Sequence, residues 1–150
     1  MIVCDSISAI HEARRYGKPW TAFLEFNGRN DKVARGYSDK WWEITGEGSS
    51  YGVTINFGAT GSAGRAVPVY KCFEEGVKVL YEKLGKGYRF KRSVKLSPLS
   101  YMPAPFCDIV RIELSGIKSA NALNAGGRLV AQIPLNTARD LCAKHPELCA

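Results

Sequence analysis

The sequence predicts an α+β fold: a small antiparallel sheet with one packed helix, an N-terminal helix before it and a β-rich extension after it. Three observations carry this. An apolar period of two recurs in three segments between Trp20 and Phe57, and a helical period replaces it between Phe73 and Leu84. A chain of 150 residues that is 45% hydrophobic has enough apolar material for a real core, as one domain or one domain with an appendage.

Ser6 to Tyr16 reads as a short helix. Ser6 or Ser8 caps it, Ile7 and Ile10 give it an apolar edge, and Gly17 with Pro19 ends it. "WTAFLEF", "KWWEIT" and "YGVTINF" then form three strands, joined by the glycine-containing loops "NGRNDKVARGYSD" and "GEGSS". Connections this short make them antiparallel neighbours.

From Pro68 the pattern turns helical, with Phe73, Val77, Leu80, Tyr81 and Leu84 on one face and Gly85 or Gly87 as the stop. Gly76 in mid-helix costs about 1 kcal/mol relative to alanine. This helix lays its stripe across the sheet. "SPLSYMPAP" is an irregular connector, after which "FCDIVRIELSG" and "RLVAQIPL" are two further strands separated by the loop "IKSANALNAGG". "NTARDLCAKHPELCA" closes the chain as a capped short helix halted near Pro146. The expected organisation is residues 1–19 as N-terminal helix, 20–95 as the sheet-and-helix domain, and 96–150 as an extension on the same core.

Charge is the strongest functional signal. The net charge is +7, and residues 67–97 hold eight cations against three acids, five of the seven surplus charges. "KLGKGYRFKRSVK", Lys83 to Lys95, has six cations, no acid and two interleaved aromatics, Tyr88 and Phe90. Like charges kept this close suggest a polyanionic partner. Lysine and arginine neutralise phosphates, and exposed rings stack on unpaired bases without reading sequence. Trp41 and Trp42 are adjacent in a strand and point to opposite faces. If the helix covers one face, one tryptophan looks towards solvent, a ligand, the extension or another subunit.

Other chemistries find less support. Cys142, His145 and Cys149 fall at three- and four-residue intervals, but structural zinc takes four ligands and Pro146 interrupts the helix, so no metal and no cofactor are expected. Cys107 or Cys142 with His11 or His145 lacks any nucleophile elbow or phosphate-loop context, and the protein is not expected to be an enzyme. Five cysteines without a framework spacing read as mostly reduced, buried side chains. With no long apolar run and no secretory signal, the expected location is a reducing cytoplasm, the host's if the protein is viral.

Phe23 to Phe90 resembles the WGR domain of poly(ADP-ribose) polymerases and of several bacterial proteins. The likeness rests on the order of "FLEFNG", "SDKWWEI", "YGVTINFGATGSAGR" and a helix ending in "YEKLGKGY", about half of the chain. It implies a sheet-and-helix domain that binds DNA, in which the family's tryptophan stacks on a terminal nucleotide and its arginine approaches a phosphate. The signature Trp-Gly-Arg is here Phe57-Gly58-Ala59. Phe57 keeps the stacking ring, and Arg65, across the glycine turn, is the candidate for the missing cation.

These readings converge on a non-catalytic DNA-binding protein that holds single strands or DNA ends through backbone and stacking contacts. The nucleic-acid-binding residues expected are Trp42, Phe57, Arg65, Lys83, Lys86, Tyr88, Arg89, Lys91, Arg92 and Lys95. The alternative is a protein-interaction or self-association module on a WGR-like scaffold. A homo-oligomer or a protein partner would then replace DNA. Either function would suit a phage or plasmid accessory protein, and neither involves a membrane.

Overall fold

The computed structural model describes residues 2–29, 32, 34, 36–47, 51–91, 97–103, 105–114 and 116–149. The chain divides into two units, Met1–Thr60 with Gly64–Ser93, and Gly61–Ala63 with Val94–Ala150. Each mixes helix with mostly antiparallel sheet, so the α+β class is observed.

The first unit runs β1 (Ile2–Cys4), α1 (Ile7–Arg15), β2 (Trp20–Arg29), β3 (Tyr37–Gly46), β4 (Gly52–Ala59), β5 (Val69–Cys72), α2 (Phe73–Gly85) and β6 (Arg89–Phe90). Its sheet is ordered β1-β2-β3-β4-β5, with β6 also paired to β2. β1 joins β2 in parallel and the other pairs are antiparallel. The three strands expected from period two are therefore present as antiparallel neighbours, while β1, β5 and β6 add short strands the pattern did not signal. Ser6 caps α1, its Oγ accepting from the Ala9 N–H at 3.1 Å.

Register decides what the sheet buries. Trp20 faces Gly46, Ala22 faces Ile44 and Leu24 faces Trp42 on β2 and β3, while Trp42, Ile44 and Gly46 face Phe57, Ile55 and Val53 on β4. Direct partners share a face, so these side chains form one apolar surface. α2 brings Phe73 and Leu80 onto it, and α1 brings Ile10 and Ala13. α2 lies close because Gly76 has no side chain: a Cβ there would sit 2.5 Å from Val53 Cγ2.

Three details of the sequence reading change here. Pro68 leads into β5, and the helix starts at Phe73, because Val69 to Cys72 complete the sheet against β4. Tyr81 is exposed, one residue off the stripe that Leu80 defines. Both Trp41 and Trp42 are 1% exposed. Trp42 joins the helix-side core, and on the opposite face the Trp41 ring fills the space beside Gly64, where a Cβ would lie 2.6 Å from it.

The second unit holds an antiparallel sheet, β7 (Arg111–Glu113), β8 (Ser119–Leu123) and β9 (Leu129–Pro134), followed by α3 (Leu135–Lys144). It has its own core of Leu99, Ile109, Ile112, Ala120, Ala122, Ile133, Ala138, Leu141 and Leu148. The segment read as the loop "IKSANALNAGG" contains the central strand β8, whose Ala120 and Ala122 are buried in that core. Gly61 to Ala63 belong to this unit: the Leu129 N–H donates to the Ser62 carbonyl at 2.8 Å, and the Gly61 N–H to the Gly127 carbonyl at 3.0 Å.

The cysteines also differ from expectation. Cys142 and Cys149, seven residues apart, form a disulfide that ties the end of α3 to the final turn. Cys4, Cys72 and Cys107 are free thiols, and burial, with the nearby Asp5 charge, pushes the Cys4 thiol up to about 11. Among the described residues no helix is long and apolar enough to cross a membrane.

Candidate nucleic-acid interface

The candidate site forms where α2 ends over the β3–β4 pair, and three local features build it. At the helix terminus the Lys86 N–H donates to the carbonyls of Glu82 and Lys83, and Gly87 takes a φ of +102° that glycine alone adopts freely. The chain thereby folds back and sets the Tyr88 ring against Phe26 on β2, centroids 5.2 Å apart. Gly87 also faces Phe26, and a Cβ there would lie 3.3 Å from the ring.

β4 supplies the second ring. Phe57 stands beside Trp42 in the register, at the rim of the helix-side core, and is 38% exposed. Lys83 reaches between the two aromatics, its Nζ 5.8 Å from the Phe57 centroid and 5.2 Å from that of Tyr88. The Arg65 guanidinium lies 5.6 Å from the Phe57 centroid. Cations at these distances are attracted by the ring quadrupole, for about 0.5–1 kcal/mol at exposed positions.

The loop after β4 sets where Arg65 stands. Asn56, 1% exposed, accepts the Arg65 N–H at 2.9 Å and the Phe57 N–H at 2.8 Å through Oδ1, and its Nδ2 donates to the Arg65 carbonyl at 3.4 Å. The Arg65 Nε donates to the Val67 carbonyl at 3.5 Å. Gly64, with φ of +75°, makes the approach possible, since a Cβ there would meet Asn56 Oδ1 and the Trp41 ring, each at 2.6 Å.

Electrostatics give this corner its character. Burial pushes the Lys83 pKa below its ordinary value; the neighbouring charges of Lys86 and Lys40 push it further, and Glu82 partly opposes them. Burial pushes the Tyr88 phenol up. With Lys86 and Lys40 close enough to disfavour the charge of Lys83, three cations gather at one point in an arrangement suited to an anion. Lys40 stands on β3 between Phe26 and Ala59, two residues before Trp42 and on the same face.

The expected site residues thus divide. Phe57, Arg65, Lys83, Lys86 and Tyr88 come together at the end of α2. Trp42 does not belong among contact residues: it is buried in the core and forms the floor beside Phe57. Arg89 lies opposite Glu25 while Phe90 lies opposite Leu24, so strand alternation turns Arg89, and Lys91 after Phe90, to the other face. Arg92 and Lys95 lie outside the described residues. Sequence reasoning missed Lys40, Phe26 and Asn56. The first two share the period of Trp42 and Leu24, a signal that needs the pairing register to become useful; Asn56 carried none beyond being polar in an apolar strand.

The described residues contain no group of three or more His, Cys, Asp or Glu side chains placed to hold a metal, and the disulfide engages two of the three members of the Cys142, His145, Cys149 cluster. What the corner offers is two aromatic rings and four cations, suited to phosphate pairing and stacking. Comparison with protein-family profiles, with curated proteins and with solved structures gives no match to the chain.

Proposed function

We propose that the protein is a non-catalytic DNA-binding protein whose first unit is a WGR-like domain, and that it holds single strands or DNA ends at the corner formed by Phe57, Arg65, Lys83, Lys86, Tyr88 and Lys40. The observation that carries the reading is the Lys83 ammonium set between the Phe57 and Tyr88 rings and crowded by Lys86 and Lys40. An arrangement that costs the free protein repulsion finds its compensation in a phosphate chain, and the rings beside it offer stacking surfaces to bases. The departure from the WGR signature is offset in space, since Arg65 stands at the Phe57 ring although Ala59 occupies the arginine position.

The test is fluorescence anisotropy with labelled oligothymidine, blunt duplex and overhang duplex across a salt series. If Lys40, Arg65, Lys83 and Lys86 each neutralise one phosphate, the single-strand slope of log K on log salt is about −2.8, or about fifty-fold in affinity between 50 and 200 mM. Changing Lys40, Lys83 and Lys86 together to Gln flattens that slope by about 2 and weakens all sequences alike. Phe57→Ala removes about 1–3 kcal/mol of stacking and leaves the slope unchanged.

A second reading, protein interaction or self-association, draws on the strand that ends the sheet among the described residues, β5, where Tyr70 and the preceding Val67 are exposed. It replaces the first if the parent protein binds no DNA at low salt, or if the triple variant binds as the parent does.

A further inference from the structure

We propose that Asn56 is a positioning residue: it fixes the Arg65 backbone so that the guanidinium stands at the Phe57 ring, ready for a phosphate of a single strand. The inference rests on the DNA-binding reading above and gives one residue of that site its cause.

The geometry is specific. Beyond Ile55, which pairs with Val69, β4 has no β5 partner on that side. Backbone donors there need another acceptor if they are to stay ordered. Asn56 supplies it, its one carboxamide engaging the N–H of Phe57 and both the N–H and the carbonyl of Arg65. The amide therefore imitates an adjacent strand across a gap of nine residues.

Burial makes the link stiff. Asn56 is 1% exposed, and the Trp41 ring packs beside Gly64 next to it, with no space there for even a methyl group. A buried amide with partners on both its oxygen and its nitrogen has one orientation to adopt. Arg65 itself is exposed; its Nε donates to the Val67 carbonyl at 3.5 Å and its guanidinium stands at the Phe57 ring, so its tip faces outward to a ligand while its backbone is held. Holding the base of a long side chain lowers the ordering cost of each contact made at its tip.

The experiment measures oligothymidine of about 15 nucleotides, within the usual footprint of a single-strand site, binding to four proteins across a salt series. These are the parent, Asn56→Ala, Arg65→Gln and the double variant. Asn56→Ala should weaken binding by the same factor as Arg65→Gln and flatten the salt slope by the same amount, at most about 0.7. In the Arg65→Gln background, Asn56→Ala should change affinity less than two-fold. Equal weakening by Asn56→Ala in both backgrounds, or parent-like binding by Asn56→Ala, overturns the proposal.

Asn56→Asp keeps the oxygen that accepts the Arg65 N–H and should retain more hydrogen-exchange protection of that amide than Asn56→Ala does; protection no greater than in Asn56→Ala also overturns the proposal. If Asn56→Ala does not fold, Gly64→Ala takes its place in the same cycle, because its methyl displaces Arg65 while Asn56 remains. A readout without DNA separates this inference from the reading beneath it. Asn56→Ala, or Gly64→Ala in its place, should abolish hydrogen-exchange protection of the Arg65 amide. Retained protection sinks the positioning role, whereas lost protection in a protein whose parent binds no DNA sinks only the DNA reading.

Discussion

Replacing Gly76 by alanine sets two effects of similar size against each other, and the structure fixes which wins. In a solvent-facing helix interior the change stabilises by about 1 kcal/mol. Gly76 instead faces β4, where the new methyl would lie 2.5 Å from Val53 Cγ2 and 3.1 Å from Ile44 Cδ1. Carbon atoms prefer about 3.5–4.0 Å, so the methyl is roughly 1 Å too close to a stiff β-branched side chain. Overpacking of this kind costs about 1–3 kcal/mol, and the net result is a loss of about 1 kcal/mol. Val53→Ala alone should cost about 2 kcal/mol through lost burial and a small cavity. Together the two changes should cost less than their sum by about 1 kcal/mol or more, because one methyl enters the space another leaves. Tryptophan emission in a urea titration measures this, since Trp20, Trp41 and Trp42 all lie in the first unit and each is 1% exposed. A Gly76→Ala variant more stable than the parent, with effects additive to Val53→Ala, would show that α2 does not press on β4 at this point.

Lys83→Met should raise the melting temperature at neutral pH while weakening oligonucleotide binding. Burial and the charges of Lys86 and Lys40 lower the lysine's pKa in the folded state, so between that value and the usual 10.5 the unfolded chain holds more protons and stability rises with pH. That rise should be smaller in the methionine variant, and an unchanged pH profile would contradict it. Cys149→Ser should destabilise the second unit by about 2.5 kcal/mol, the chain-entropy value for a cross-link closing seven residues. Calorimetry with and without reductant checks this, and a variant melting like the parent under oxidising conditions would show that the cross-link contributes nothing.

The parts of the fold legible in the sequence were those whose own side chains define a face. β2, β3 and β4 alternate, α2 has a stripe, and Ser6 caps α1 as its position suggests. β1, β5 and β6 are two to four residues long and owe their form to the backbone of a neighbour, so no window of sequence could show them. β8, Ser-Ala-Asn-Ala-Leu, has no β-branched or aromatic residue, because the central position in that sheet calls for small side chains beneath α3. Trp41 shows a different limit. Alternation correctly sent it to the face away from Trp42, but not to solvent, because the space beside Gly64 receives its ring.

The same geometry explains why a cluster in sequence was only partly a cluster in space. Between Lys83 and Lys86 the chain is helical and turning, so its cations gather; at Arg89 it becomes a strand, and successive side chains divide between two faces. A run of basic residues crossing a helix–strand junction is thus split by the change of period. Arg65 enters the site from a separate segment, carried by the Asn56 link, and Lys40 through the register that sets it opposite Phe26. Charge density along the chain locates the corner, and pairing register decides its members. In a mixed fold, a linear motif is best read for an anionic partner only after each cation has been assigned to the helix end or strand face that presents it.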